Sequence, residues 1–295
     1  MENQRQNYFL NLLKATRVVR VLIPLSSIML VVGFANQINK EIFILAMCCV
    51  LIYSAGGILN AKFDKDFKLK HPFTAITFLF IIVLILSFTN YIIFLAVITW
   101  VLLSFVYSKF SRRILFGDST ILAVTHAVIP IVASALLLGL ETKLTITLAI
   151  FMFVALFLII PMKNLNRVKE DKKRKYKTLM TYYKNGKKIT YFLFNFYFIL
   201  MFIAYFVFDL TNKYLIIFAG IFIITIFLNS YLNNRKEILA YKLSRLIVIL
   251  FSFAFVYDKA TDFIIISISG FLIFVYIVYL GLFSRKKFAD RRNWL

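Results

Sequence analysis

The sequence predicts an all-α fold, a polytopic membrane bundle of about nine to ten transmembrane helices, and three observations predict it. Of 295 residues, 62% are hydrophobic and the mean hydropathy is +0.86, far above the soluble range. Apolar stretches of about 17 to 23 residues, each long enough to cross about 30 Å of hydrocarbon as helix, recur along the whole chain. Charge is confined between them and is lopsided, 35 Lys and Arg against 13 Asp and Glu, a net charge of +22. Strong positive charge can signal a nucleic-acid partner, but cations that alternate with membrane spans are explained by topology, and no nucleic acid is expected.

In chain order the spans fall near 18–36, 42–59, 73–89, 91–108, 119–141, 143–162, 187–209, 213–230, 241–257 and 262–284. The first seventeen residues contain no compact apolar core followed by a cleavage signal, so the first run is expected to stay in the membrane. With the amino terminus in the cytoplasm, the cytoplasmic segments hold four basic residues at the amino-terminal edge, four at 60–72, three at 108–118, eleven at 163–188, four at 231–245 and five after 284, 31 in all. The opposite connections keep only Lys40, Lys143, Lys213 and Lys259. That asymmetry predicts both termini inside and a single integral domain over 1–295 in the cell membrane. Cys48 and Cys49 are neighbours within an apolar run and cannot staple distant segments, so they read as packing residues.

Ionisable groups inside a span are costly and usually mark ion or proton routes. His126 is the one such group at mid-depth of the expected spans, and a histidine partnered by a neighbouring helix is the commoner reading. Midplane carboxylates of the kind an ion-coupled carrier uses are missing. The basic stretch at 163–188 is mostly a solvated loop, favoured near anionic lipid by about 1 kcal/mol per cation.

Polar residues instead collect where the second and sixth spans end. In YSAGGILNAKFDKDFKLKHP, Gly56 and Gly57 permit close helix approach just before Asn60 and Asp64, which are i,i+4 neighbours if helix continues. Lys68 follows one turn on, and Asp66 points elsewhere unless the helix unwinds. In IIPMKNLNRVKEDKK, Asn164, Arg167 and Asp171 stand at i, i+3 and i+7. Oxygen ligands from two such stripes suit Mg²⁺ held against a diphosphate, because that ion is typically bound by one or two carboxylates plus phosphates and water. Alone, such stripes are also what ordinary polar helix ends look like.

Read together, these motifs resemble the UbiA superfamily of intramembrane prenyltransferases over most of the chain. The family's Asn-Asp-x-x-Asp-x-x-x-Asp aligns with Asn60, Ala61, Asp64 and Lys68; Tyr107-Ser108, Arg112-Arg113 and Asp118 are similar to its Tyr-Ser…Lys-Arg…Asp loop. Its second motif, Lys-Asp-x-x-Asp-x-x-x-Asp followed by Lys-Thr-Leu, aligns with Lys163, Asn164, Arg167, Asp171 and Lys177-Thr178-Leu179, then Gly186-Lys187-Lys188. Arg17 resembles a family arginine near the diphosphate, and His71-Pro72 is similar to the branch that transfers phosphoribosyl to a polyprenyl phosphate.

The resemblance implies a bundle of about nine spans, so the run at 262–284 is an addition expected on its outside. It also implies transfer of a prenyl group from a prenyl diphosphate to a membrane-soluble acceptor at the cytoplasmic face, with Mg²⁺ held by Asn60, Asp64, Asn164 and Asp171. Asp64 and Asp171 are the retained catalytic acids; Asn60, Asp66, Lys68, Tyr107, Lys109, Arg112, Arg113, Asn164, Arg167 and Lys172 are the expected substrate contacts. This chain has fewer acids than the family pattern, with Lys68 and Arg167 at two acidic positions. Two alternatives therefore stay open: phosphoribosyl transfer to a polyprenyl phosphate, and a non-catalytic binder or carrier of membrane lipid. The aromatic run YFLFNFYFILMFIAYFVF at 191–208 fits the wall of a lipid tunnel, or, more commonly, lipid-facing and packing rings.

Overall fold

A computed structural model describes residues 15–16, 18–64, 71–165, 168–233 and 237–283. Each expected span is a helix: α1 (Leu22–Ala35, entered through a 3-10 turn Val18–Val21), α2 (Lys40–Asp64), α3 (Pro72–Ser87), α4 (Tyr91–Lys109), α5 (Gly117–Leu138) and α6 (Thr142–Ile159, continued as 3-10 helix Ile160–Asn164). Two short helices, α7 (Val168–Lys173) and α8 (Leu179–Tyr182), interrupt the basic stretch before α9 (Gly186–Val207), α10 (Asn212–Asn233), α11 (Glu237–Lys259) and α12 (Phe263–Phe283). Eight of these are long and apolar enough to cross a membrane; Val19–Ala35 and Pro72–Ser87 are shorter apolar helices. The protein is an integral membrane protein.

Local chemistry sets the helix ends. Asn90 caps α4 by accepting from the Ile92 N–H at 2.8 Å, and Asn39 does the same for the Ile42 N–H at 3.0 Å at the start of α2. Pro72 begins α3, where its missing N–H costs nothing. Asn36 ends α1 in the left-handed region, and its Oδ1 accepts from the Thr261 and Asp262 N–H groups at 2.8 and 3.1 Å. That side chain fastens the end of α1 to the α11–α12 turn.

Because nearly every position is apolar, packing rather than amphipathicity separates inside from outside. The most enclosed helices are α5, α6 and α11, joined in one core by α1 and α2; α4, α10 and α12 keep much of their surface for lipid. Close approach is built on glycine. A Cβ on Gly33 would stand 2.9 Å from Val256 Cα on α11, and one on Gly57 would stand 2.5 Å from the Thr16 carbonyl oxygen. The second contact seats the segment before α1 against α2, one turn from Asn60. The added helix α12 lies at the edge against α1 and α11, where Tyr276 and Tyr279 join Leu22, Leu246 and Ile249 in a separate apolar cluster.

The aromatic run divides along α9: Phe194 and Tyr197 are buried in the core, whereas Phe192, Phe196, Phe202 and Phe206 are exposed on the bundle surface. None of them reaches the cavity described next. These rings are packing and lipid-facing groups.

Candidate functional site

Between α1, α2, α4, α5, α6 and α11 lies a cavity of about 170 Å³. Away from the ends of α2 and α6 its wall is mostly apolar, with Leu103, Ile121, Leu122, Leu156, Ile159 and Val248, interrupted by Tyr53, Thr125 and His126. Its polar pole is at the bundle end where α2 and α6 finish, and the residues there are ordered by a hydrogen-bonded network. The Lys163 ammonium is 2.9 Å from Asp118 Oδ2, and Asn164 Nδ2 donates to the same oxygen at 3.3 Å. Arg112 donates to Asn60 Oδ1 at 2.5 Å. Tyr107 stands between the two cations: its hydroxyl accepts from Lys163 at 3.4 Å, and its ring lies 5.0 Å from the Arg112 guanidinium. Tyr176 flanks the other side of Arg112 at 5.2 Å.

The sequence explains how these groups converge. Helix continues through the end of α2, so Asn60 and Asp64 are one turn apart as expected. Past the sixth span it does not continue: Pro161 sits in the 3-10 turn Ile160–Asn164, and a new short helix carries Asp171. Asn164 and Asp171 nevertheless line the same cavity, both buried. The basic stretch is only partly a solvated loop. Lys177 N–H donates to the Arg112 carbonyl at 2.9 Å, Thr178 and Thr181 form a capping box on α8, and a Cβ on Gly186 would stand 2.1 Å from the Leu179 carbonyl oxygen. The segment is folded over the pole.

Of the expected site residues, Asn60, Tyr107, Arg112, Asn164 and Asp171 are brought together at the cavity. Lys109, Arg113 and Lys172 are exposed and outside it; Lys109 lies over Phe105 and Phe110 instead. Asp66, Lys68, Arg167 and Arg17 lie outside the described residues, as does the side chain of Asp64. Lys163 and Asp118, which the motifs contain, prove to be the pole's central ion pair. Arg20 and Arg245 also line the cavity. Arg245 counts as a loop cation when the connection is taken as 231–245, but the helix α11 begins at Glu237 and carries it in its third turn.

His126 lines the cavity at a π-helical turn, Val124–Val128, within α5. Here the Ile129 N–H reaches back to Val124 and Pro130 has no N–H, so Thr125 and His126 lose their α-helical donors. Other helices supply replacements: Trp100 Nε1 and the Tyr53 hydroxyl donate to the Thr125 carbonyl at 2.9 and 2.8 Å, and Ser27 Oγ donates to that of His126 at 2.8 Å. His126 Nδ1 lies 3.2 Å from the Tyr53 hydroxyl and 3.1 Å from Thr125 Oγ1. The Tyr53 proton is committed to Thr125 and the Thr125 proton to Ile121. The histidine is partnered by a neighbouring helix.

Among the described residues, no cluster of three or more His, Cys, Asp or Glu is placed to hold a metal. Asn60 Oδ1 is engaged by Arg112, and Asp118 is engaged by Lys163 and Asn164. A preformed all-protein Mg²⁺ cage does not fit these residues. A Mg²⁺ arriving with a diphosphate does fit, because such an ion asks the protein for only one or two carboxylates and Asp171 is in the cavity wall.

Fold and site thus define an intramembrane helical bundle with a cationic, amide-rich pole above an apolar chamber. The model of the UbiA prenyltransferase family matches residues 71–239, more than half of the chain, and the chain belongs to that family. Among solved structures, a digeranylgeranylglyceryl phosphate synthase shares 17% identity at a TM-score of 0.58, covering 85% of this chain and 99% of that one. A UbiA homologue from Archaeoglobus fulgidus bound to DMAPP and Mg²⁺ shares 14% identity at a TM-score of 0.53, covering 93% and 87%. The same homologue bound to GPP and Mg²⁺ shares 15% at 0.54, covering 92% and 100%. No curated protein matches the chain.

Proposed function

We propose that the protein transfers an isoprenyl group from a prenyl diphosphate to a lipophilic acceptor, with the diphosphate bound at the cytoplasmic end of the bundle. The observation that carries this reading is the juxtaposition of Arg112, Lys163, Asn60 and Asn164 at one pole with an apolar chamber beneath them. Support also comes from the related structures solved with prenyl diphosphates and Mg²⁺.

On this reading Arg112 and Lys163 donate to the diphosphate oxygens, in bonds made stronger by charge on both partners. Tyr107 fixes the cations relative to one another, and Asp118 holds Lys163 at the pole. Asp171, in the cavity wall, would bind a substrate-borne Mg²⁺ together with Asp64 from the end of α2, with Asn60 and Asn164 as the flanking amides. That ion would neutralise charge on the leaving diphosphate. Leu103, Ile121, Leu122 and Leu156 bury the hydrocarbon chain and keep water from the reacting carbon, which favours transfer over hydrolysis. As the C1–O bond breaks, its electron pair leaves with the diphosphate toward the two cations.

A second reading rests on a specific observation. The two amides of the site, Asn60 at the motif's asparagine and Asn164 at a former acid position, are engaged with protein partners, as a protein that binds prenyl lipid without converting it would have them. Turnover separates the two. Asp171→Ala and Asp64→Ala each lower Mg²⁺-dependent consumption of geranyl diphosphate by at least about 100-fold if the acids stabilise the transition state; unimpaired turnover in both defeats the transferase assignment.

A further inference from the structure

Helix α9 shows where hydrocarbon ends at the pole end of the bundle. Its exposed residues Phe192, Phe196, Ile199, Ile203 and Phe206 recur at three- and four-residue spacing, which makes one continuous apolar face on the outside of the protein. In a membrane span that face meets lipid chains. One turn before Phe192 the same face carries Lys188, which is exposed. Lys188 therefore stands at the boundary between hydrocarbon and headgroups, where an ammonium on a long apolar stem is accommodated. Its neighbour Lys187 turns away to α11 and lies 3.2 Å from Glu237.

The turn into α9 adds groups of the same kind. Tyr182, at the end of α8, and Tyr183 after it are 57% and 41% exposed, with their rings edge to face at 5.0 Å. Tyrosine is enriched at headgroup level, where both its ring and its hydroxyl are accommodated. Lys184 follows and is also exposed. Among the described residues, neither Lys184 nor Lys188 is paired with a carboxylate.

This corner is an ordered part of the fold. The Tyr183 N–H donates to the Leu179 carbonyl at 3.1 Å and the Gly186 N–H to that of Tyr183 at 3.0 Å, and Leu179 is buried. At its other end the segment is tied to the pole, by the Lys177 N–H on the Arg112 carbonyl and by Tyr176 against the guanidinium. Two cations and two aromatic rings are thus held in place before a ligand arrives, which lowers the ordering cost of binding. The general attraction of a basic loop to anionic lipid needs no such arrangement.

We infer that Tyr182, Tyr183, Lys184 and Lys188 form a docking site for the headgroup of an anionic phospholipid in the adjoining leaflet, with its phosphate at the two lysines and its acyl chains along Phe192 and Phe196. A zwitterionic headgroup brings its own ammonium to the lysines and loses the net attraction. None of these residues lines the central cavity, and the site does not depend on the proposed transfer.

The test uses the full chain, delipidated in neutral detergent and offered equimolar phosphatidylglycerol and phosphatidylcholine with the same acyl chains, and counts bound lipid by native mass spectrometry. Phosphatidylglycerol is expected to be retained with a preference of at least about fivefold, the scale of one lysine near anionic lipid. Lys184→Gln with Lys188→Gln abolishes the preference, and Lys184→Arg with Lys188→Arg keeps it. Lys169→Gln with Lys173→Gln, an equal loss of exposed charge on α7, leaves it. Folding is verified by an unchanged unfolding temperature in lipid-free detergent; each single glutamine variant at the corner loses part of the preference, which keeps the test decisive if the pair does not fold. Millimolar glycerol phosphate does not displace the lipid. No preference in the wild type, a preference that survives in the folded corner variants, or an equal loss in the α7 pair overturns the site. Displacement by glycerol phosphate overturns the lipid as ligand, and a dimer that the corner variants disperse would seat a second copy there and overturn it too.

Discussion

Asp118→Asn is a nearly isosteric change that removes one charge from the centre of the pole. The Lys163 ammonium would keep the Tyr107 hydroxyl, at 3.4 Å, and a neutral amide in place of the carboxylate at 2.9 Å. At an effective dielectric constant of about 20, that contact is worth roughly 6 kcal/mol of gross attraction, much of it offset by the desolvation of both groups. Removing one member of a buried pair costs about 3 to 5 kcal/mol. The lower end applies here because the Lys163 side chain retains 17% exposure, against 6% for Asp118. The expected loss is about 3 kcal/mol for Asp118→Asn and about the same for Lys163→Met, while the double variant, with neither charge stranded, loses less than the two together. Reversible unfolding in mixed micelles across this cycle should return a coupling of at least about 2 kcal/mol. Losses that simply add, to within about 0.5 kcal/mol, would refute the claim that this pair organises the pole.

Arg112→Gln should weaken geranyl diphosphate binding about 10- to 100-fold, from the loss of charge-assisted bonds worth about 1.5 to 3 kcal/mol, whereas Arg113→Gln, exposed and outside the cavity, should change it less than about threefold; equilibrium binding checks both. Ser27→Ala should cost about 1 to 3 kcal/mol by stripping the His126 carbonyl of its replacement donor, read from the same unfolding assay. Gly57→Ala should destabilise by about 1 to 3 kcal/mol, because its Cβ would meet the Thr16 carbonyl oxygen, and should loosen prenyl diphosphate binding as the segment beside Asn60 shifts. A cysteine placed at position 290 should be labelled only from the cytoplasmic side; efficient labelling from outside intact cells would reverse the proposed topology.

The positions of the ten long apolar helices were legible because a membrane span needs an unbroken apolar run of nearly fixed length. Which of them form the interior was not, since lipid and core are equally apolar and the pattern carries no polar face; the aromatic run of α9 serves both. At the site, residues fixed by helical spacing, Asn60 and Asp64, could be placed from sequence. Asn164 and Asp171 could be paired only through the family motif, because the sixth span ends in a 3-10 turn at Pro161 and Asp171 is carried by a separate short helix. Exposed cations such as Lys109, Arg113 and Lys172 look like Arg112 in sequence, and only the fold separates them. Arg245 was hidden by position: a charge near the beginning of an apolar run reads as loop until the helix start at Glu237 is known. The π turn leaves a sequence trace only in Pro130, which marks missing donors without naming Ser27, Tyr53 and Trp100 as their replacements.

The most direct test of the central claim is pyrophosphate release by the purified protein in lipid nanodiscs, given prenyl diphosphates of several lengths and a lipid extract, with Mg²⁺ or with EDTA. The account predicts release that requires Mg²⁺ and is lost in Asp171→Ala. No release from any prenyl diphosphate, by protein shown to be folded and to bind prenyl lipid, would contradict it and leave a member of this family that binds without converting.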